Sequence, residues 1–267
     1  MELSNYYSKV GVIGLGAVGR QVCQAIDSGQ VEAELAAVFD SREERVQRLL
    51  ADLKRITRSM TIVGLVTSAD LVVECTTPEA AADMVMASLN GGKDVLVTNP
   101  GALLGQDTIF RLATERNIHI FLPTLQLAGM DGLRVAAQGR VDSCLVTVSV
   151  PGRMLARSPL LAGKAPKDRE VVFQGPVAQA ARGVPALANP LAVVSFGGVG
   201  PLRTVVRIVC DERVEQTVFQ VEVAGECGRM VAWMDTHPDP LSPERSRMVA
   251  LSAISALKNI FNPVRLI

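Results

Sequence analysis

The chain has 267 residues with 27 Lys+Arg against 27 Asp+Glu, so its formal charge is zero and no basic excess directs it to nucleic acid or to an anionic membrane. No apolar run reaches the roughly 18 residues that span a bilayer, and Met1 to Ser8 is too short and polar for a signal peptide. Five cysteines (Cys23, Cys75, Cys144, Cys210, Cys227) lack CxxC or metal-ligand spacing, so the expectation is a cytoplasmic protein with buried free thiols, no disulfide framework and no metal.

In chain order, a short apolar run (Val10, Val12, Ile13) leads into Gly14-x-Gly16-x-x-Gly19, and helical apolar spacing (Val18, Val22, Ala25, Ile26) follows. That is strand, tight glycine turn and helix. Gly14 permits the turn, Gly16 lets a pyrophosphate approach bare backbone, and Gly19 lets helix and strand pack closely, while the N–H groups at the helix start attract phosphate. A plain strand–helix turn is the rival reading. The context speaks against it, because a second apolar run, Leu35 to Phe39, ends in Asp40, 21 residues after Gly19, where an acid hydrogen-bonds adenosine ribose hydroxyls. Gly14, Gly16, Ala17, Val18, Gly19, Asp40, Ser41 and Arg42 are therefore expected against a dinucleotide. Asp40 repels a 2′-phosphate and Arg42 partly offsets it, so NAD is favoured over NADP.

Strand and helix patterns keep alternating. Arg42 to Arg58 reads as a crossover helix, Thr61 to Val66 as a short strand, and Leu71 to Cys75 as a stronger one. Thr76, Thr77 and Pro78 then open an Ala-rich helix, Asp94 to Thr98 is the next strand, Asn99 to Ala102 a turn, Gln106 to Arg116 a helix and Ile118 to Leu122 a strand. Such alternation predicts a doubly wound parallel sheet of the Rossmann kind, with ligands beyond the carboxyl ends of its strands. Cys75, Thr76, Thr77, Pro78, Asn99 and Ala102 lie in loops of that kind and join the expected cofactor contacts.

After Pro123 the rhythm changes. Gln126 to Ala137 looks helical, and period-two strands follow at Cys144–Val150, Glu170–Phe173, Arg203–Cys210, Gln216–Val223 and Arg229–Met234, with helices at Gly175–Arg182 and Asn189–Phe196. This predicts a second, α+β domain with an open, mostly antiparallel sheet. The helical stripe from Pro243 to Asn259 is expected to return to the first domain. The predicted division is a dinucleotide-binding domain at 1–124, completed by 240–267, and a substrate and dimerisation domain at 125–239. Val146, Val148, Val221 and Val223 are expected to supply an apolar face for a homodimer.

The segments Gly-Val-Ile-Gly-Leu-Gly-Ala-Val-Gly (11 to 19), Val-Val-Glu-Cys-Thr-Thr-Pro-Glu-Ala (72 to 80), Gly-Gly-Lys-Asp-Val-Leu-Val-Thr-Asn-Pro-Gly-Ala-Leu (91 to 103) and Ala-Gly-Met-Asp-Gly-Leu (128 to 133) resemble the L-aspartate dehydrogenase family in content and order. Segments at 175 to 181, 203 to 209 and 246 to 257 extend the resemblance over almost the whole chain. It implies a Rossmann domain, an α/β domain whose open sheet serves dimerisation, and hydride transfer from the Cα of aspartate to NAD or NADP. The implied product is iminoaspartate, which hydrolyses to oxaloacetate or feeds NAD biosynthesis.

The chain departs from the family where chemistry is expected. The family's Asn-x-His pair, whose His serves water activation and substrate orientation, aligns with Thr217 and Phe219. Its Pro-Ser-Gly-Ala stretch becomes Pro123-Thr124-Leu125-Gln126, and a basic Thr-Arg-Lys run becomes Ser149-Val150-Pro151. Asn189 matches the family's Asn near nicotinamide and substrate. His237, in a Thr-His-Pro-Asp-Pro loop, and Asp131, near a helix start, are the remaining catalytic candidates, with solvated loop and helix capping as their rival readings. His119 reads as a structural strand residue, and Lys164 and Lys167 as solvated loop residues. The expected function is hydride transfer between NAD(P) and an amino- or imino-acid carbon. Another two-domain dehydrogenase (homoserine dehydrogenase-like or dihydrodipicolinate reductase-like) and a non-catalytic dinucleotide-binding protein are the alternatives.

Overall fold

The computed structural model describes residues 8–156, 158–161 and 166–265. It divides into two units, Met1–Pro123 with Val249–Ile267, and Thr124–Met248. The first holds β1 (Lys9–Ile13), α1 (Ala17–Asp27), β2 (Glu34–Phe39), α2 (Glu43–Asp52), β3 (Arg58–Ser59), α3 (Ile62–Ser68), β4 (Leu71–Glu74), α4 (Pro78–Asn90), β5 (Asp94–Val97), α5 (Asp107–Arg116) and β6 (Ile120–Phe121). Its sheet runs β3-β2-β1-β4-β5-β6 with every pair parallel. The strand order reverses between β1 and β4, which puts the crevice of a doubly wound sheet at their carboxyl ends. β4 is buried along its whole length, as a central strand covered on both faces must be.

Thr61 to Val66 is not a strand. The Thr61 hydroxyl accepts the Gly64 N–H at 3.2 Å and starts α3, and this local cap outweighs the β-propensity of the Ile and Val residues after it.

The second unit contains α6 (Met130–Ala136), β7 (Val141–Val150), α7 (Gly152–Leu155), β8 (Val171–Pro176), α8 (Val177–Gly183), α9 (Ala188–Gly197), β9 (Val205–Cys210), β10 (Val218–Gly225), β11 (Gly228–Met234), β12 (Pro238–Asp239) and β13 (Ser242–Ser246). Its main sheet runs β11-β10-β7-β9-β8, antiparallel except for the parallel pair β7–β9. Several expected boundaries differ: the crossover helix foreseen to Arg58 stops at Asp52, and the helix foreseen from Gly175 starts at Val177, Gly175 and Pro176 ending β8. The helix foreseen from Gln126 begins only at Met130, because Leu125 (φ 56°) and Gly129 (φ 73°) adopt left-handed backbone that a right-handed helix cannot include. The helix foreseen from Pro243 begins at Met248, since 242–246 pairs with Pro238 and Asp239 as a small hairpin.

That last helix, α10 (Met248–Phe261), lays Ala250, Ala253, Ile254, Leu257 and Phe261 into the same apolar cluster as Val10, Val22, Ile26, Leu35 and Val38 of the first unit. Helical spacing at i, i+3, i+4 and i+7 gives it one continuous apolar stripe for this purpose.

Register in the second sheet corrects the expected dimer face. Phe219 stands opposite Val148 and Val221 opposite Val146, so these residues share one face with Val223, and all are buried. The other face carries Leu145, Thr147, Arg207, Gln220, Glu222, Val231 and Trp233, of which Trp233 is 61% exposed. Period-two alternation gives the two sets of residues; it does not say which set the helices cover.

Candidate functional site

Four loops of the first unit meet at the carboxyl ends of the adjacent strands β2, β1, β4 and β5. In the first, Gly14 has φ 92°, and a Cβ there would run into the Cys75 carbonyl. A Cβ on Gly19 would overlap the Gly14 carbonyl oxygen, so α1 approaches β1 as closely as a missing side chain allows. Gly16 is different: a Cβ there would meet only Arg45 Nη1, at 3.9 Å. The space over Gly16 is open, no side chain caps the helix there, and α1 begins at Ala17 and Val18, whose first-turn N–H groups have no acceptor within the helix. The cradle fits a pyrophosphate.

At the end of β2, Asp40 has a side chain only 5% exposed. Its Oδ2 accepts the Leu15 N–H at 2.7 Å and its Oδ1 the Arg42 N–H at 2.9 Å, and the Arg45 guanidinium stands 3.4 Å from Oδ2. A carboxylate offers about four acceptor positions, so one is left for a ribose hydroxyl. Ser41 and Arg42 are exposed beside it. Arg45 is a neighbour that the sequence reading passed over; its signal is the spacing Asp40 to Arg45, which returns the first turn of α2 to the end of β2.

The remaining two loops are tied together. Cys75 is buried beneath the glycine turn, Thr76 is half-buried, Thr77 and Pro78 are exposed at the start of α4, and Asn99 is buried before the 3₁₀ turn Pro100–Leu103, which includes Ala102. Between them sits Glu74, fully buried at the end of β4. Its Oε1 accepts the Thr76 N–H (2.6 Å), the Thr76 hydroxyl (2.7 Å) and the Asn99 side-chain amide (2.9 Å), and its Oε2 accepts the Asn99 N–H (3.2 Å). The Asn99 amide also donates to the Thr76 carbonyl at 3.1 Å. Sequence reasoning quoted Glu74 within a motif and gave it no role, because Asn99, 25 residues on, becomes its neighbour only through the β4–β5 pairing.

The catalytic candidates all belong to the second unit. Asp131 is exposed in the first turn of α6; it is not the cap, which is Gly129, so its carboxylate complements the helix dipole. Asn189 is half-buried in the first turn of α9, where Pro190 is sterically acceptable. Gly197, at the other end of α9, abuts Met130, so Asp131 and Asn189 are separated by most of the length of α9, roughly 12 Å at 1.5 Å per residue. His237 is exposed in the loop before β12, and its carbonyl accepts the Arg247 N–H at 3.1 Å.

Phe219 is 1% exposed on the apolar face of β10, paired with Val148 and Met234, and Thr217 donates to Met154 Sδ at 3.4 Å. Val150 is buried and Pro151 caps α7, so these two residues bring no charge to the strand end, and Arg153 in the following turn donates to the Glu215 carbonyl. His119 stacks on Phe121 and sits 3.2 Å from Asp94, which begins β5, so it lies at the amino ends of the strands, opposite the four loops. Lys167 is exposed, and Lys164 lies outside the described residues. Among the described residues no group of His, Cys, Asp and Glu is placed to hold a metal, and no helix is long and apolar enough to cross a membrane. The five cysteines form no disulfide.

Comparison with known proteins adds the following. The family described as "Aspartate dehydrogenase, C-terminal" matches residues 131–260, and that described as "Homoserine dehydrogenase, NAD binding domain" matches 14–123. A protein of Methanosarcina barkeri named L-aspartate dehydrogenase is 36% identical, with 97% of this chain and 98% of that one covered. One of Bordetella bronchiseptica named L-aspartate dehydrogenase 3 is 29% identical over 96% of each. Among solved structures, aspartate dehydrogenase of Thermotoga maritima superposes with a TM-score of 0.70 at 18% identity, covering 97% of this chain and 99% of its own, a likeness of fold.

Proposed function

Since the chain belongs to the L-aspartate dehydrogenase family, we propose that it transfers hydride between a nicotinamide cofactor and the nitrogen-bearing carbon of an amino or imino acid, with imine reduction as its favoured direction. It is a nicotinamide-dependent oxidoreductase of that family. The observation that carries the direction is Phe219: a buried phenyl ring stands where the family resemblance places the histidine that serves water. Reduction needs no attacking water. A reduced nicotinamide held by the first unit would supply the hydride for the imine carbon, becoming NAD(P)⁺, and this chain's residues would hold the imine and deliver the proton that turns C=N into CH–NH.

Gly14, Gly16, Ala17, Val18 and Gly19 are assigned to the pyrophosphate, Asp40, Ser41 and Arg42 to the adenosine ribose, and Cys75 to Pro78, Asn99 and Ala102 to the nicotinamide side. Asn189 is the proposed amide beside the substrate, His237 the proposed proton carrier and Asp131 its alternative. Asp40 favours NAD; Arg45 beside it softens that preference toward NADP. The protein is read as a cytoplasmic homodimer, joined through the face that bears Val231 and Trp233. The test is steady-state oxidation of NADH and NADPH with iminoaspartate formed in place from oxaloacetate and ammonia. Turnover well above that with oxaloacetate alone supports the reading; cofactor binding with no turnover on any imino acid favours a non-catalytic binding protein instead.

A further inference from the structure

A carboxyl group with no exposure to water is costly unless its acceptors are fully used, and Glu74 uses both oxygens on four donors. All four donors belong to Thr76 and Asn99, one in each of two separate crevice loops. The doubly wound sheet has two mononucleotide-binding halves, and Asp40 on β2 marks the β1–β3 half for adenosine. The β4–β6 half is then left for the nicotinamide nucleotide, and the loops that Glu74 joins are the ones after β4 and β5.

We propose that Glu74 is the positioning residue for the nicotinamide half of the cofactor, fixing the Thr76 and Asn99 loops in the one arrangement that receives it; this rests on the cofactor reading above. The residue type matters. Every partner is a donor, so an amide in place of the carboxyl turns an NH₂ toward at least one N–H, and the least costly orientation leaves the Asn99 backbone N–H unpaired. The Asp40 carboxyl is held by Leu15, Arg42 and Arg45, and the Gly14 N–H by the Phe39 carbonyl, so the adenosine half is expected to be indifferent to Glu74.

Calorimetry with NADH and with ADP, which lacks the nicotinamide nucleotide, separates this role from general support of the fold. Glu74→Gln should bind ADP within about twofold of the unmodified chain while binding NADH about tenfold more weakly, the loss expected for one unpaired buried donor. Thr76→Val, which removes one hydroxyl donor and keeps the backbone N–H, carries the same test at about threefold should Glu74→Gln not fold. Equal weakening of ADP and NADH, or no change in either, overturns the assignment alone. Absence of NADH binding to the unmodified chain overturns the cofactor reading and this assignment with it.

Discussion

The three glycines of the first turn make different demands, and substitution should separate them. Gly16→Ala adds a methyl into open space at an ordinary φ of −68°, so the melting temperature should hold while NADH affinity falls; Gly16→Asp, which adds charge as well, should abolish binding in calorimetry. Gly19→Ala drives a methyl into backbone, and thermal unfolding should show the loss directly. Unchanged NADH affinity in Gly16→Asp would displace the cofactor site from this turn. Phe219 sets the second residue-level prediction. With no imidazole on β10, oxidation of L-aspartate should run about 10² to 10⁴ below an enzyme with a positioned base, and Thr217→Asn with Phe219→His should raise it, as followed by NAD⁺ reduction. Ordinary dehydrogenase turnover, on the order of 1 to 10³ per second, in the unmodified chain would move the base elsewhere, with His237 the first to mutate. Leu125 bears on the same point: where the family resemblance places a Gly, it has φ 56°, backbone that favours glycine, and a buried side chain that fills space a glycine would not.

At the scale of elements, the turn after β9 is held by one carboxylate. The Asp211 carboxyl takes the Arg213 side chain at 2.8 and 2.6 Å and the Arg213 N–H at 3.0 Å, and these bonds hold its pKa at about 2 against an ordinary 3.8. A folded pKa below the unfolded one contributes stability that is complete above about pH 5 and is lost as pH falls through 4 toward 2. With Arg213 largely exposed, the contribution is about 1–2 kcal/mol. Asp211→Asn should therefore lower stability at pH 7 by that amount and flatten the pH dependence of urea unfolding between pH 5 and 2; an unaltered slope there would assign the acid sensitivity to other carboxylates. Elements also differ in how far sequence reveals them. The glycine turn and Asp40 follow from spacing along the chain, and long amphipathic stripes such as that of α10 from period. The helix α3 does not, because its seven residues depend on a single hydroxyl cap, and the link from Glu74 to Asn99 spans 25 residues and exists only once β4 and β5 pair.

For the whole molecule, the face to test for self-association is the outward one. Trp233, Val231 and Leu145 flank Gln220 and Glu222 there, so Trp233→Glu should convert a dimer into a monomer in light scattering at micromolar concentration, whereas Val146→Ala should cost stability by opening a cavity. A monomer in the unmodified chain would refute the dimer. Choosing between the two faces from sequence fails for a definite reason: both alternate with the same period, and only the helices that settle on one of them distinguish inside from outside. The chain's route through the first unit has a further outcome, in biosynthesis. The segment that completes the cluster around Val10 and Leu35 is made only after Thr124–Met248, which is continuous. On the ribosome the second unit can therefore close while the first still shows bare aliphatic side chains to the chaperones, and a truncation that removes α10 should leave a nascent chain that is recognised as unfinished and degraded even though every residue of the glycine turn is present.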